Sequence, residues 1–266
     1  MRTVVWNCRR APARHRLWAQ LQVLSPDLAL LQEVGGLPEE LLEEYQVALE
    51  VPPTRHGHPQ RFRTALLVRG TLGRRIRLRA GPRWIDAQLR HFAPNLVAHE
   101  VEVPGAGAFI AVSVYAPAWP LPRSAYAGRD VEGVKLPENP EIWVSDLVVP
   151  ALRRALPASE HAWLVGGDFN ACETFDRWKS GPRGNARWLA RMAGLPLHEC
   201  LRGAAGRLVP TYRKPGAPGA SSQMDHLFVS PSLAGRLQAC DTGPGTRVFE
   251  DNLSDHLPIV ADFGRA

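Results

Sequence analysis

Lysine is nearly missing from this chain. Only Lys135, Lys179 and Lys214 carry an ε-ammonium, so 29 of the 32 basic residues in the 266-residue sequence are arginine. Cysteine is also sparse. Cys8, Cys172, Cys200 and Cys240 stand singly, with no Cys-x-x-Cys pair and no zinc-ligand spacing. That pattern excludes a disulfide scaffold and reads as reduced, mostly buried thiols. No run approaches the roughly 20 consecutive apolar residues of a membrane span. The first apolar run gives way to Arg9-Arg10, too soon for the h-region of a secretory signal. No internal repeat or long linker divides the chain. These absences lead to the expectation of a cytoplasmic monomer folded as a single domain over residues 1–266.

What is present is ordinary globular composition, 45% hydrophobic and 22% charged, which excludes a wholly disordered chain. The net charge of +6 permits an anionic partner without demanding one. Arginine's planar fork suits phosphate contacts, although GC-rich coding produces the same bias.

Short β-branched runs alternate with turn residues. Strands are expected at Arg2–Asn7, Asp27–Val34, Arg63–Val68, Leu96–Val103, Phe109–Tyr115, His161–Gly166, Met224–Ser230 and Leu257–Phe263, with a hairpin turn at Pro104-Gly105. Helical patterns cover Ala13–Leu24, Leu37–Glu44, Pro140–Leu156 (interrupted or kinked by Pro150) and Asn185–Met192. Helices are too few for a doubly wound parallel sheet. An α+β sandwich of two packed sheets flanked by helices is the simplest architecture.

The chemistry concentrates at strand ends. Asn7 ends the first strand, Glu33 the second, Tyr115 a later one, and Asp168 with Asn170 another. Asp225-His226 interrupts the strand near Met224, and Asp255-His256 opens the last. Residues at the strand ends of a rigid sheet converge on one cleft, whereas the same residues on helices scatter. Hard oxygen donors with few nitrogens and no thiolates describe a magnesium or manganese site more than a zinc site. Gly166-Gly167 before Asp168 reads as a place where backbone approaches a ligand closely.

Trp6-Asn7, Leu30-Leu31-Gln32-Glu33-Val34, Gly167-Asp168-Phe169-Asn170-Ala171, Met224-Asp225-His226 and Ser254-Asp255-His256-Leu257-Pro258 together resemble the endonuclease/exonuclease/phosphatase superfamily, in its order and over nearly the whole chain. The resemblance implies a four-layer αββα sandwich: two mixed β-sheets face to face, helices outside, and an active cleft at one edge. It implies Mg²⁺ (with Mn²⁺ as a substitute) held by Glu33, with Asn7 holding the metal or its water and Asp255 beside it. It pairs Asp225 with His256, as general base or phosphate contact, and gives Asp168 the attacking water or leaving group. Asn170 and the Tyr115 phenol would contact phosphate. Two positions depart from the abasic-site branch, Arg9 where an acidic residue is usual and Val34-Gly35 in place of Thr-Lys, and two from the wider family, Gln223 in place of arginine and His226 in place of tyrosine.

The expected activity is hydrolysis of a phosphate ester by in-line attack of water, in a nuclease acting on DNA or RNA. Trp119 and Tyr126 in the Ala116–Asn139 loop are then candidates to stack on bases. The alternatives are a phosphatase or phosphodiesterase acting on a small molecule or lipid headgroup, and a binding module that has lost the chemistry.

Overall fold

Why the strand-end residues meet follows from how two sheets are wound in the computed structural model, which describes residues 1–177, 183–243 and 245–265. The strands in chain order are β1 (Arg2–Asn7), β2 (Leu28–Val34), β3 (Gln46–Glu50), β4 (Arg63–Val68), β5 (Thr71–Arg75), β6 (Leu96–Val103), β7 (Gly107–Tyr115), β8 (Ala162–Asp168), β9 (His198–Glu199), β10 (Asp225–Val229), β11 (Leu237–Asp241) and β12 (Ile259–Phe263). They form two six-stranded sheets, β11-β12-β1-β2-β4-β3 and β5-β6-β7-β8-β10-β9.

Side chains alternate across each strand and so feed two different cores. Val5, Leu30, Leu66, Ala111, Leu164 and Leu227 point between the sheets. Each large member that leaves water contributes about 1.5–3 kcal/mol. Val4, Trp6 and Leu31 point the other way, against Leu17, Trp18 and Leu21 of α1 (Leu17–Leu24) and Leu41 of α2 (Glu39–Glu44). The outer face of the second sheet, through Val112, Val114 and Val165, packs on α3 (Arg83–His91), α4 (Val144–Ala155) and α5 (Asn185–Ala193). The result is the four-layer αββα sandwich of mixed sheets.

Each sheet has one parallel pair at its centre, β1–β2 and β7–β8. The C-terminal ends of those four strands lie at one edge of the sandwich. β10 runs antiparallel to β8, placing Asp225 opposite Asp168, and β12 runs antiparallel to β1. The starts of these two strands therefore reach the same edge as the ends of the parallel ones.

Several details correct the sequence reading. The first helix begins at Leu17, not Ala13, because Pro12–His15 form a separate turn, with the Pro12 carbonyl accepting the His15 N–H at 2.9 Å and the Trp18 indole N–H at 2.8 Å. Helix α4 starts at Val144 and continues through Pro150 without interruption. Gly166 and Gly167 serve packing. A Cβ at Gly166 would lie 2.8 Å from Val5 Cγ2, and one at Gly167 (φ +151°) would lie 1.9 Å from the Val114 carbonyl. The glycines let the sheets and neighbouring strands close up.

Cys8, Cys172 and Cys200 are buried and Cys240 partly so, all as free thiols. Among the described residues no helix is long and apolar enough to cross a membrane.

Candidate active site

The cleft at this edge is assembled from polar pairs that join one sheet to the other. Asn7, ending β1, donates from Nδ2 to Asp168 Oδ2 of β8 at 2.9 Å. Its Oδ1 accepts the Arg9 N–H at 3.0 Å, so the amide is held at both ends. Asp225, starting β10, accepts from His256 Nδ1 at 2.8 Å. One layer deeper, Gln32 of β2 donates to Ser113 of β7 at 3.0 Å.

Glu33 reaches the cleft because β2 is irregular there. Pairing with β4 shifts register between Leu31 and Val34, and Glu33 adopts φ +50°. Regular alternation would send it to the outer face with Leu31; the bulge re-aims it. Its carboxylate acts on the Tyr115 hydroxyl of β7, helping to hold the phenol proton in place. Tyr115 is buried, its ring edge-on to Phe62 at 5.2 Å, and burial with Glu33 and Asp168 pushes its phenol far above the ordinary range.

Backbone strain collects here. Of the six non-glycine residues with positive φ among those described, Ser25 ends α1, and the other five are Arg9, Arg10, Glu33, Asn170 and Asn252. All five touch the cleft or a residue that does. Arg10 Nε lies 3.5 Å from Glu33, Arg9 Nε lies 3.8 Å from Asp255, and Arg9 Nη1 donates to Asn252 at 2.8 Å. Left-handed backbone costs about 1–3 kcal/mol per residue and persists where the surroundings impose it, typically at functional sites.

Electrostatics separates the titrating groups. Asp168 is raised to about 7, chiefly by burial, with Asp225 adding and His256 and the Asn170 and Asn7 donors opposing. Burial disfavours a charged His256, but the Asp225 carboxylate and its hydrogen bond, helped by Asp168 and Asp255, outweigh it and raise the ring to about 10. With Nδ1 committed to Asp225, the ring has Nε2 left for a ligand.

Asn170 is turned inward. Its N–H and side-chain amide bind Asp168, at 2.9 and 3.3 Å, and Nδ2 also donates to the Ala116 carbonyl at 2.7 Å. Asp255 lies at the rim, half-buried beside Arg9.

The donor set fits a hard divalent cation. Asp225 Oδ1 is buried without a hydrogen-bond partner, and ligand atoms of Asp168, Asp225 and His256 lie within 4.8 Å of one another. Glu33 and Asp255 meet their arginines only beyond hydrogen-bond length, so their oxygens keep lone pairs free. Because Asp225 and His256 already satisfy each other through Oδ2 and Nδ1, Glu33 and Asp255 are the more available ligands.

Sequence reasoning gave no role to the residues that hold these groups in place. Thr211 Oγ1 accepts the N–H groups of Met224 and Asp225, fixing the start of β10. Tyr212 packs its ring 4.9 Å from His256. Ser254 donates to the Asn7 carbonyl at 2.7 Å and accepts the His256 N–H, while Trp6 donates to the His256 carbonyl. The signal for Ser254 was its place beside Asp255-His256; Thr211 carried none. His226 faces away from the cleft, fully buried among Phe169, Trp188 and Phe228, with Nε2 donating to Ala171. Tyr126 is partly buried with its ring tilted 6.5 Å from Trp84, and Trp119 lines a hollow beside α3.

The sequence pattern of the Endonuclease/Exonuclease/phosphatase family matches residues 4–256. No curated protein matches the sequence. Among solved structures, a 3'-5' exonuclease (NExo) from Neisseria meningitidis is similar, with a TM-score of 0.67 and 18% identity over 99% of this chain and 100% of that one. An AP endonuclease from Archaeoglobus fulgidus gives 0.65 and 18%, over 99% of each chain. An endonuclease/exonuclease/phosphatase from Beutenbergia cavernae gives 0.63 and 19%, over 100% of this chain and 72% of that one. At these identities the likeness concerns the fold.

Proposed function

Because the chain belongs to the endonuclease/exonuclease/phosphatase family, whose members hydrolyse phosphate esters, we propose that it is a divalent-metal-dependent nuclease that cleaves phosphodiester bonds by in-line attack of water. The observation that carries the reading is the 2.8 Å Asp225–His256 pair set beside buried Asp168 at the edge where both sheets end.

Glu33 and Asp255 would hold Mg²⁺ or Mn²⁺, with Asn7 steadying the arrangement. When bound, such a cation supplies Lewis-acid polarisation of the phosphoryl oxygen and offsets charge on the leaving oxygen.

The chain's own residues supply the rest. Asn7 and Asn170 orient Asp168, and its raised affinity for protons suits Oδ acceptance of a proton from the attacking water near neutral pH. Asp225 keeps His256 protonated, so Nε2–H donates to a non-bridging phosphate oxygen and offsets charge that develops there. Of the two roles left open for this histidine, phosphate contact is the one its charge favours. Tyr115, poised against Glu33, presents its hydroxyl to the phosphate. Asn170 exchanges its longer 3.3 Å contact with Asp168 for a phosphate oxygen.

A nucleic-acid substrate is supported by the net charge of +6 and by the kinship in fold with nucleases. A second reading, action on phosphate monoesters, draws support from a further Neisseria structure described as a 3' phosphatase bound to product DNA hairpin, with a TM-score of 0.65, 18% identity and 99% of each chain covered.

A panel separates these readings: supercoiled plasmid, abasic duplex, a 3'-phosphorylated duplex, single-stranded RNA and bis(4-nitrophenyl) phosphate, each with Mg²⁺ and Mn²⁺. Cleavage of a polynucleotide chain supports the nuclease. Release of terminal phosphate alone supports the monoesterase. No hydrolysis of any member contradicts both.

A further inference from the structure

Charge is distributed very unevenly over this molecule. Residues 74–91 hold six arginines (Arg74, Arg75, Arg77, Arg79, Arg83 and Arg90) against one acid, Asp86. That short stretch carries five of the chain's six net positive charges. The other 248 residues are almost neutral, with 26 basic and 25 acidic groups.

Most of these arginines are not engaged in internal pairing. Arg74 and Arg75 meet Glu100 and Glu50, but Arg77, Arg79, Arg83 and Arg90 have no carboxylate partner among the described residues, and all four are exposed. Ile76, Leu78 and Ala80, which alternate with them, pack against the core under α3. That alternation fixes the arginines outward. Asp86 is turned back to cap the N–H groups of Ala80 and Gly81, so its charge ties the loop to the helix. Arg75, Arg77, Arg79 and Arg90 line a hollow of 340 Å³.

This hollow borders the active edge. Leu96, which also lines it, begins β6 opposite Val114, one residue before Tyr115. Asn95 Nδ2 donates to the Tyr115 carbonyl at 2.9 Å, tying the end of the arginine-bearing segment to the cleft tyrosine. On the other flank of α3 lies a second hollow, of 420 Å³, lined by Arg55, His56, His91 and Trp119. Trp119 stands four residues after Tyr115. The two hollows on either side of α3 thus form a path leading away from the cleft, aromatic and cationic first, then arginine-rich.

We propose that Arg77, Arg79, Arg83 and Arg90 bind the sugar–phosphate backbone of a nucleic acid outside the scissile bond, with Trp119 and His91 facing the strand between this tract and the cleft. The proposal rests on the nuclease reading and adds where the polymer lies. Fixed guanidinium charges on one face bind a polyphosphate with release of its counterions. A small phosphodiester, which fills only the cleft, gains nothing from them.

The test is anisotropy of a fluorescein-labelled 20-base-pair DNA duplex and of a single-stranded RNA, in EDTA to prevent cleavage, across KCl concentrations. The wild type is compared with Arg77→Gln/Arg79→Gln/Arg90→Gln. The triple variant is expected to bind at least about tenfold more weakly at moderate salt. Its plot of log affinity against log salt should be shallower by about 2–3 on duplex, close to 0.9 for each phosphate that is no longer neutralised. Turnover of bis(4-nitrophenyl) phosphate should be unchanged. Should the triple variant fail to fold, Arg79→Gln alone should lower the slope by about 1.

Equal affinity and slope in wild type and variant on both polymers would overturn the proposal, as would a difference seen only with phosphatidylserine vesicles. Variant-sensitive polymer binding by a protein inert on every ester would sustain the tract and sink the catalytic reading. Hydrolysis with variant-insensitive binding would do the reverse.

Discussion

Asp225 and His256 bond to each other from opposite sheets: Asp225 starts β10 in one, His256 stands just before β12 in the other, and the 2.8 Å hydrogen bond between them spans the sandwich. Asn7–Asp168, Glu33–Tyr115 and Gln32–Ser113 also cross between the sheets. Packing of the two sheets therefore sets the geometry of the site.

The Asp225–His256 pair should behave as a unit. His256→Ala is expected to lower turnover by about 10²–10⁴. Combining it with Asp225→Asn should cost little more, because groups acting together are strongly non-additive. Unlike a surface histidine, His256 cannot be removed without cost to the fold, since Asp225 is left buried and unpaired; a loss of roughly 3–5 kcal/mol is expected for the single variant and less for the double. Turnover and urea midpoints of the three variants check this; additive losses in both would dissolve the pair.

Tyr115→Phe keeps the ring against Phe62 and removes only the hydroxyl beside Glu33. Turnover should fall by about 10², with a small change in melting temperature. Full activity would take the phenol out of the reaction.

The close approach of β7 and β8 makes its own prediction. Gly167→Ala would press a Cβ to 1.9 Å from the Val114 carbonyl at a left-handed φ, so the strands must separate. A loss of about 3 kcal/mol or more is expected, beyond ordinary overpacking. Denaturant midpoints measure it, and an unchanged midpoint would mean β7 and β8 are not so closely apposed.

Asp146, buried at the first turn of α4, links stability to pH away from the cleft. Burial raises its carboxyl from 3.8 to about 7, against the Trp143 N–H it accepts and the Arg191 charge. The folded chain therefore holds this proton more tightly than the unfolded one. Its contribution is greatest below pH 3.8, declines as pH rises from there through about 7, and is then constant. Asp146→Asn retains an acceptor for Trp143 without the charge. The variant's unfolding free energy should gain on the wild type's as pH rises from 3.8 to about 7, by on the order of a few kcal/mol at most. A difference independent of pH would contradict the burial argument.

How much of this could be read in the sequence depended on periodicity and on residue type. β1, β7 and β8 are buried apolar runs ending in Asn7, Tyr115 and Asp168, β2 carries Glu33 just before its end, and these marked both the sheets and the cleft, while buried β4 marked the sheet alone. β5, Thr-Leu-Gly-Arg-Arg, is an exposed edge strand whose pairing with β6 supplies what its residue types do not. Helix α3 carries a usable signal in Ile85, Leu89 and Phe92 at helical spacing, masked by the arginines and prolines around it. The left-handed turn at Arg9 and Arg10 has no residue-type signature at all. It is imposed by the contacts of the cleft, as is the bulge that swings Glu33 inward.

Glu33 is where a metal-dependent mechanism is most directly exposed to test. Hydrolysis of bis(4-nitrophenyl) phosphate should vanish in EDTA and return with Mg²⁺, and Glu33→Gln should raise the Mg²⁺ concentration for half activity at least about tenfold, as loss of one carboxylate ligand from a site with few does. Activity that survives EDTA, or a Glu33→Gln titration that overlays the wild type, would contradict a metal held at this edge.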